Sequence, residues 1–236
     1  MGPSSGTPSD DEGLGDRVPF LARLEPEDRH ALLALGRPLR YAPRSTVLRQ
    51  DEPSTYILLL LRGWTKVTAA AVNGYEALLA LRGPGDIVGE AAALSGRPRT
   101  ATVTALEAVD AVSVDRERFT AFLAEAPRAA MRLLDLTTDR MHKGDQRRLE
   151  NAALTVRERF AVLLLELART HGSRTELGIE LCVPLSKQEL AGAIGASREM
   201  VQRLLKDLRE REVVLTGRRT LVILRPDILR RIGHGG

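Results

Sequence analysis

Five polar side chains towards the C-terminal end stand at spacings that suit the reading of base edges. Arg198, Glu199, Gln202, Arg203 and Lys206 fall within the stretch Ser-Lys-Gln-Glu-Leu-Ala-Gly-Ala-Ile-Gly-Ala-Ser-Arg-Glu-Met-Val-Gln-Arg-Leu-Leu-Lys-Asp-Leu, residues 186–208. On a helix that begins at Arg198, the apolar Val201, Leu204, Leu205 and Leu208 turn inward and leave the five polar residues outside. An arginine fork can hold O6 and N7 of guanine, and a glutamate can accept from the amino group of cytosine. Glu199 and Arg203 lie nearly above one another on such a helix, so they can address the same or adjacent base pairs, with Arg198 reaching a neighbouring one. An ordinary solvated helix face would carry similar charges, but not the helix signals around them.

Those signals are specific. Ser186 followed three residues later by Glu189 forms a capping box that starts a first helix. Leu190 and Ile194 supply its buried side, and Ala191, Gly192 and Ala193 are small enough for a second helix to cross closely. Gly195 falls where the turn needs a left-handed residue, and Ser197 caps the second helix. The pattern predicts a helix-turn-helix whose second helix enters the major groove, with Lys187 and Ser197 completing the DNA-contacting set. Beyond it, Val213-Val214-Leu215, Thr216-Gly217-Arg218-Arg219 and Leu221-Val222-Ile223-Leu224 read as a hairpin with a basic tip. That hairpin is a wing, and Arg218 and Arg219 read either as phosphate contacts or as ordinary exposed charges at a turn.

Charge is distributed to match. The 236 residues carry a net +4, yet residues 154–236 hold 15 Lys and Arg against 10 Asp and Glu. All the positive excess therefore sits in the last third, as expected if that part meets a polyanion. No nucleophile–base set, metal-ligand cluster or Walker-type loop appears, so an enzyme is not expected. The single cysteine, Cys182, lies in the apolar run Ile179, Leu181, Val183 and reads as a small buried hydrophobe; alone it cannot hold an iron–sulfur cluster. His142 and His171 read as solvated histidines rather than haem ligands. The apolar run 57–61 is too short to span a bilayer, and the first 16 residues lack the apolar core of a signal peptide, so a cytoplasmic protein without membrane association is expected.

The elements that must position the DNA-reading end are legible in outline. Residues 1–18, rich in Gly, Ser, Pro and acid, read as a disordered tail. A short amphipathic helix follows around Glu25-Pro26-Glu27-Asp28. Residues 37–113 then form short apolar runs broken by turn residues, which predicts a small antiparallel barrel or roll. Within it, Asn73-Gly74 predicts a hairpin with a two-residue type I′ turn. Helical texture returns over 116–124, and Pro127 suits the first turn of a long helix reaching residue 153. Ala130, Leu133, Leu134, Thr137 and Met141 make an apolar seam on that helix for a second copy of the chain. A break at 151–155 precedes an amphipathic helix over 156–169.

The motif over residues 186–208 closely resembles the helix-turn-helix of the Crp/Fnr regulators. Gly89-Glu90 followed by Pro98-Arg99-Thr100-Ala101-Thr102-Val103 is similar to that family's phosphate-binding cassette. The resemblance covers residues 21–229 and implies an α+β chain: a cyclic-nucleotide-binding-type β-roll (19–126), a dimerisation helix (127–153) and a winged helix-turn-helix (154–236). It implies a homodimer on double-stranded DNA with RNA polymerase as a further partner, and half-sites resembling TGTGA. It also implies that Glu90 accepts from a ribose hydroxyl, that Arg99 and Thr100 hold a cyclic phosphate, and that Gly89 lets backbone approach it. On the long helix, Gly144 and Asp145 stand where cyclic-AMP receptors place Thr and Ser against adenine. Asp145 can accept from an exocyclic amine, with Lys143 or Arg140 as alternatives. cAMP, cyclic GMP and a cyclic dinucleotide all remain open as effectors. So does a ligand-independent DNA-binding or architectural protein in which Glu90 and Arg99 pair across an empty roll.

Overall fold

The computed structural model describes residues 16, 18–53, 55–183, 185–217 and 220–234. Arg218 and Arg219, the expected wing-tip cations, lie outside the described residues. The N-terminal half opens with helices α1 (Phe20–Arg23) and α2 (Pro26–Ala34). The expected single helix is two pieces because Pro26 forces Glu25 into extended backbone and takes the first helical position of α2 itself.

Strands β1 (Arg37–Tyr41), β2 (Thr46–Leu48), β3 (Tyr56–Arg62), β4 (Thr65–Ala70), β5 (Glu76–Arg82) and β6 (Ile87–Val88) follow. Helix α3 (Glu90–Ser95), strands β7 (Thr102–Ala105) and β8 (Val109–Asp115) and helix α4 (Arg116–Glu125) complete the roll. Two antiparallel four-stranded sheets result, in the orders β1-β8-β3-β6 and β2-β7-β4-β5. Strand β3 explains its own apolar run. Ile57 and Leu59 face a core shared with Phe20, Phe119 and Leu133, while Leu58 and Leu60 face Val47, Val103 and Ala111 between the sheets. With both faces covered, period-two alternation has nothing to favour.

The hairpin at Asn73-Gly74 exists, joining β4 to β5 with Thr68 opposite Leu78. Its turn is not the two-residue type I′ form. Ala71 donates to the Tyr75 carbonyl, and the Asn73 side chain accepts from the Tyr75 N–H. Gly74 alone takes a positive φ there. The Asn side chain thus replaces a backbone acceptor, a longer solution than the dipeptide signal implies.

Helix α5 spans Pro127–Ala153, at the expected limits. Ala129, Leu133 and Leu136 are buried against the roll, so Leu133 leaves the expected seam. The exposed apolar row is instead Met131, Leu134 and Met141. Helix α6 (Val156–His171) begins from a capping box between Thr155 and Glu158. Strands β9 (Gly172–Arg174) and β10 (Ile179–Leu181), helix α7 (Lys187–Ile194), helix α8 (Arg198–Glu210), and strands β11 (Val214–Thr216) and β12 (Leu221–Ile223) follow. Helix α9 (Pro226–Gly233) closes the chain against α6. The second domain's sheet runs β11-β12-β10-β9. Cys182 is exposed, against expectation, because Leu181 and Val183 take the inward positions and alternation turns the residue between them out.

Candidate effector and nucleic-acid sites

The cassette is built by a short strand, a left-handed glycine and a helix. After β6, Gly89 has φ 87°, and a Cβ there would collide with the Arg99 guanidinium. Glu90 is thereby set at the first position of α3, 7% exposed. Arg99 is buried; its Nη1 donates to the Gly89 carbonyl at 2.9 Å, and Nη2 to the Tyr56 carbonyl at 2.6 Å. The guanidinium also lies 5.1 Å from the Tyr56 ring centroid. Burial holds Arg99 below the ordinary arginine range. Thr100 is exposed beside it.

Glu90 and Arg99 do not pair with each other. Glu90 Oε1 instead accepts from Arg140 Nη1 at 2.6 Å. Arg140 reaches in from α5, and its Nη2 also donates to the Ile87 carbonyl at 3.1 Å. A second carboxylate completes the cluster. Asp16, expected to belong to a disordered tail, has a side chain 2% exposed and accepts from Arg140 Nε at 3.1 Å and Nη2 at 2.6 Å. It also lies 3.4 Å from Arg82 Nη1. Burial works against charge on Arg140, but Glu90 and Asp16 hold it above the usual arginine range. Burial likewise penalises ionised Asp16, yet Arg82 and Arg140 keep its carboxyl below the usual range. Burial pushes neighbouring Asp86 up to about 6, with Asp16 adding to the effect.

Of the residues expected to meet an effector, Gly89, Glu90 and Arg99 converge, with Thr100 at the rim. Asp145 does not join them within the chain. It is exposed and pairs with Arg148 one helical turn on. Arg140 takes the place at the cassette. Asp16, Arg82 and Tyr56 carried no sequence signal, because a lone acid in a Gly-rich segment or a cation ending a strand belongs to no motif.

The helix-turn-helix is as expected in its local parts. Ser186 and Glu189 cap each other's ends of the first turn of α7, and Gly195 takes φ 63° in the turn. Ser197 accepts from the Met200 N–H at the start of α8. Val201, Leu205 and Leu208 are buried and Leu204 half-buried. Lys187, Ser197, Arg198, Glu199, Gln202, Arg203 and Lys206 are exposed. Only Lys206 among the cations of α8's first two turns and their continuation has an ion pair among the described residues, to Glu210 at 3.7 Å.

Roll and DNA-reading domain are joined through side chains. Lys66 on β4 pairs with Glu189 at 2.6 Å, and Arg147 donates to the Leu79 carbonyl at 2.8 Å while pairing with Glu166. Burial raises Glu166 to about 7, partly offset by Arg147. Trp64 meets His171 edge-on with ring centroids 4.5 Å apart. His171 is therefore buried rather than solvated, and burial lowers it to about 4. A cavity of about 580 Å³ opens at this junction, lined by Arg44, Lys66, Leu106, Lys187 and Leu205 among others, and does not touch the cassette.

Comparison with known proteins places these features in a family context. Residues 38–126 match the cyclic nucleotide-binding domain, and residues 158–232 match the Crp-like helix-turn-helix domain. The chain is 29% identical over 207 residues to the CRP-like cAMP-activated global transcriptional regulator of Mycobacterium tuberculosis, covering 87% of this chain and 92% of the relative. It is 29% identical over 220 residues to the cyclic AMP receptor protein of Thermus thermophilus, covering 92% and 97%. Among solved structures, a CRP-family transcriptional regulator of Thermus thermophilus superposes with TM-score 0.71 at 25% identity, covering 84% and 97%. The c-di-GMP-responsive global regulator CLP of Xanthomonas campestris has TM-score 0.77 at 23% identity, covering 84% and 99%, and shares the fold.

Proposed function

This chain belongs to the Crp/Fnr family of sequence-specific DNA-binding transcription regulators, and we propose that a cyclic nucleotide bound in its roll controls its DNA binding. The architecture is that of non-enzymatic regulators. The observation that carries the proposal is the convergence of Glu90, fixed by Arg140, with Arg99 and the left-handed Gly89. A bound cyclic phosphate monoanion takes the Arg99 guanidinium from its two carbonyl partners, with Thr100 adding a hydroxyl and Glu90 accepting from the ribose. cAMP is the first candidate effector, since both curated relatives above are named for it. Asp145, exposed and paired with Arg148 on its own helix, reaches a base only across a homodimer.

The homodimer forms along α5, through the row of Met131, Leu134 and Met141. It sets two α8 helices about 34 Å apart on inverted half-sites of double-stranded DNA. RNA polymerase is the further partner at such sites, and the work is done in the cytoplasm. No helix among the described residues is long and apolar enough to cross a membrane. Arg198, Glu199, Gln202 and Arg203 read bases; Lys187, Ser197, Lys206 and the wing's Arg218 and Arg219 hold phosphate.

Calorimetric titration of the full chain with cAMP, cyclic GMP and c-di-GMP tests the effector. Binding that Arg99→Leu abolishes, with the roll still folded, supports the cassette; unchanged affinity in Arg99→Leu rejects it. A second reading draws on the same geometry: the carbonyls of Gly89 and Tyr56 already satisfy Arg99, as in a ligand-independent regulator. No heat with any of the three nucleotides, together with intact DNA binding, selects that reading.

A further inference from the structure

The Arg140 guanidinium is held from both ends, by Glu90 of the cassette and by Asp16 of the N-terminal segment, and only the first of these belongs to the roll's own motif. Arg140 Nε and Nη2 address Asp16 while Nη1 addresses Glu90, so one planar group ties the two carboxylates together. The groups facing this cluster are Arg82 from β5, Asp86 from the turn before β6, Glu90 from α3, and Arg140 and Lys143 from α5. Asp16 thus adds a third carboxylate beside Asp86 and Glu90 to a site holding three cations. Without its charge, Arg140 keeps only the Ile87 carbonyl on that side and is held less firmly against Glu90.

The placement of Asp16 is supported by the residues after it. Leu21 donates to the Gly85 carbonyl at 2.9 Å, and Phe20 and Leu21 are buried. Arg23 pairs with Asp139 at 2.6 Å, one residue before Arg140. The segment therefore runs along α5 and against the turn that precedes the cassette. Glu90 can present its second carboxylate oxygen to a ligand hydroxyl at fixed geometry only while Arg140 holds the first. A side chain that orients such a partner contributes to binding without touching the ligand.

We infer that Asp16 is a positioning residue of the effector site, clamping Arg140 so that Arg140 fixes Glu90, and that seating of the N-terminal segment and occupancy of the roll are thereby linked. The linkage is reciprocal, as any coupling between two binding equilibria must be. The inference rests on the cyclic-nucleotide reading for its ligand but not for its geometry.

The test uses the full chain and two readouts. In thermal unfolding without ligand, Asp16→Asn and Glu90→Gln each lower the Tm, and the double variant lowers it by clearly less than the sum. That coupling disappears in an Arg140→Gln background. Additive shifts overturn the clamp, whatever the nucleotide result. In calorimetry with cAMP and cyclic GMP, Asp16→Asn weakens the nucleotide that the unaltered chain binds by about tenfold, the equivalent of ~1.4 kcal/mol, and Asp16→Glu recovers part of it. Unchanged affinity, or tighter binding that marks Asp16 as a competing plug, overturns the positioning role. If the unaltered chain binds neither of these nucleotides nor c-di-GMP while the unfolding coupling persists, the clamp stands and the nucleotide reading falls.

Discussion

Arg140, reaching from α5 to the cassette, directs its N–H groups at Asp16, Glu90 and the Ile87 carbonyl, whereas Arg203 on α8 is exposed and has no ion pair among the described residues. Both are arginines on amphipathic helices. The first sits where leaving any charge unmatched is costly, and its surroundings answer with two carboxylates and a carbonyl. The second has no ion pair among the described residues, which suits the DNA contact proposed for it. A buried, matched cation holds a site in shape; an exposed, unmatched one is available to a polyanion.

Breaking the matched side has the largest expected effect. Arg140→Gln strands Asp16 and Glu90, with side chains 2% and 9% exposed, and is expected to cost about 3–5 kcal/mol of stability. Denaturant unfolding measures it, and a loss below about 1 kcal/mol would mean that the cluster is as weak as a surface pair. On the unmatched side, Arg203→Ala leaves stability within about 0.5 kcal/mol but costs about 1–3 kcal/mol in DNA binding, concentrated at one base pair. Binding isotherms on single-base variants of a selected site decide this; an equal loss on every variant makes Arg203 a phosphate contact only.

His171 sharpens the comparison, as a buried group with no counter-charge. Its folded pKa of about 4 lies below the ordinary 6.5. The neutral ring is favoured on folding, so its contribution is fully present above pH 6.5. It is lost as pH falls towards about 4, at up to about 1.4 kcal/mol per pH unit. Denaturant midpoints at about pH 7 and about pH 5, either side of the ordinary histidine pKa, should diverge more for the unaltered chain than for His171→Phe. Gly195→Ala, at φ 63° in the helix-turn-helix, is expected to cost about 1 kcal/mol by placing a Cβ in left-handed backbone. Smallest of all is Arg148→Ala, which removes an exposed pair with Asp145 and should shift monomer stability by less than about 0.5 kcal/mol. A larger fall that grows with protein concentration would instead place that pair in the dimer contact.

What the sequence determined by itself is local and repetitive. Ser186 with Glu189, Ser197 and Gly195 set the ends of α7 and α8 because cap and turn energies act within a few residues. Pro127 set the start of α5 for the same reason. The capping box Thr155–Glu158 was equally legible and marks the start of α6 more sharply than the apolar period does. Tertiary structure decided which faces are covered and which charges meet. Leu133 turns to the roll and Met131 to the outside, and His171 is sealed against Trp64. None of these follows from a residue's neighbours in sequence, since each depends on an element far along the chain. Asp16 and Arg140 are separated by 124 positions and joined at 2.6 Å. Only the fold brings a carboxylate of the N-terminal segment to that guanidinium, because their attraction becomes strong only where burial has removed the water that would screen it.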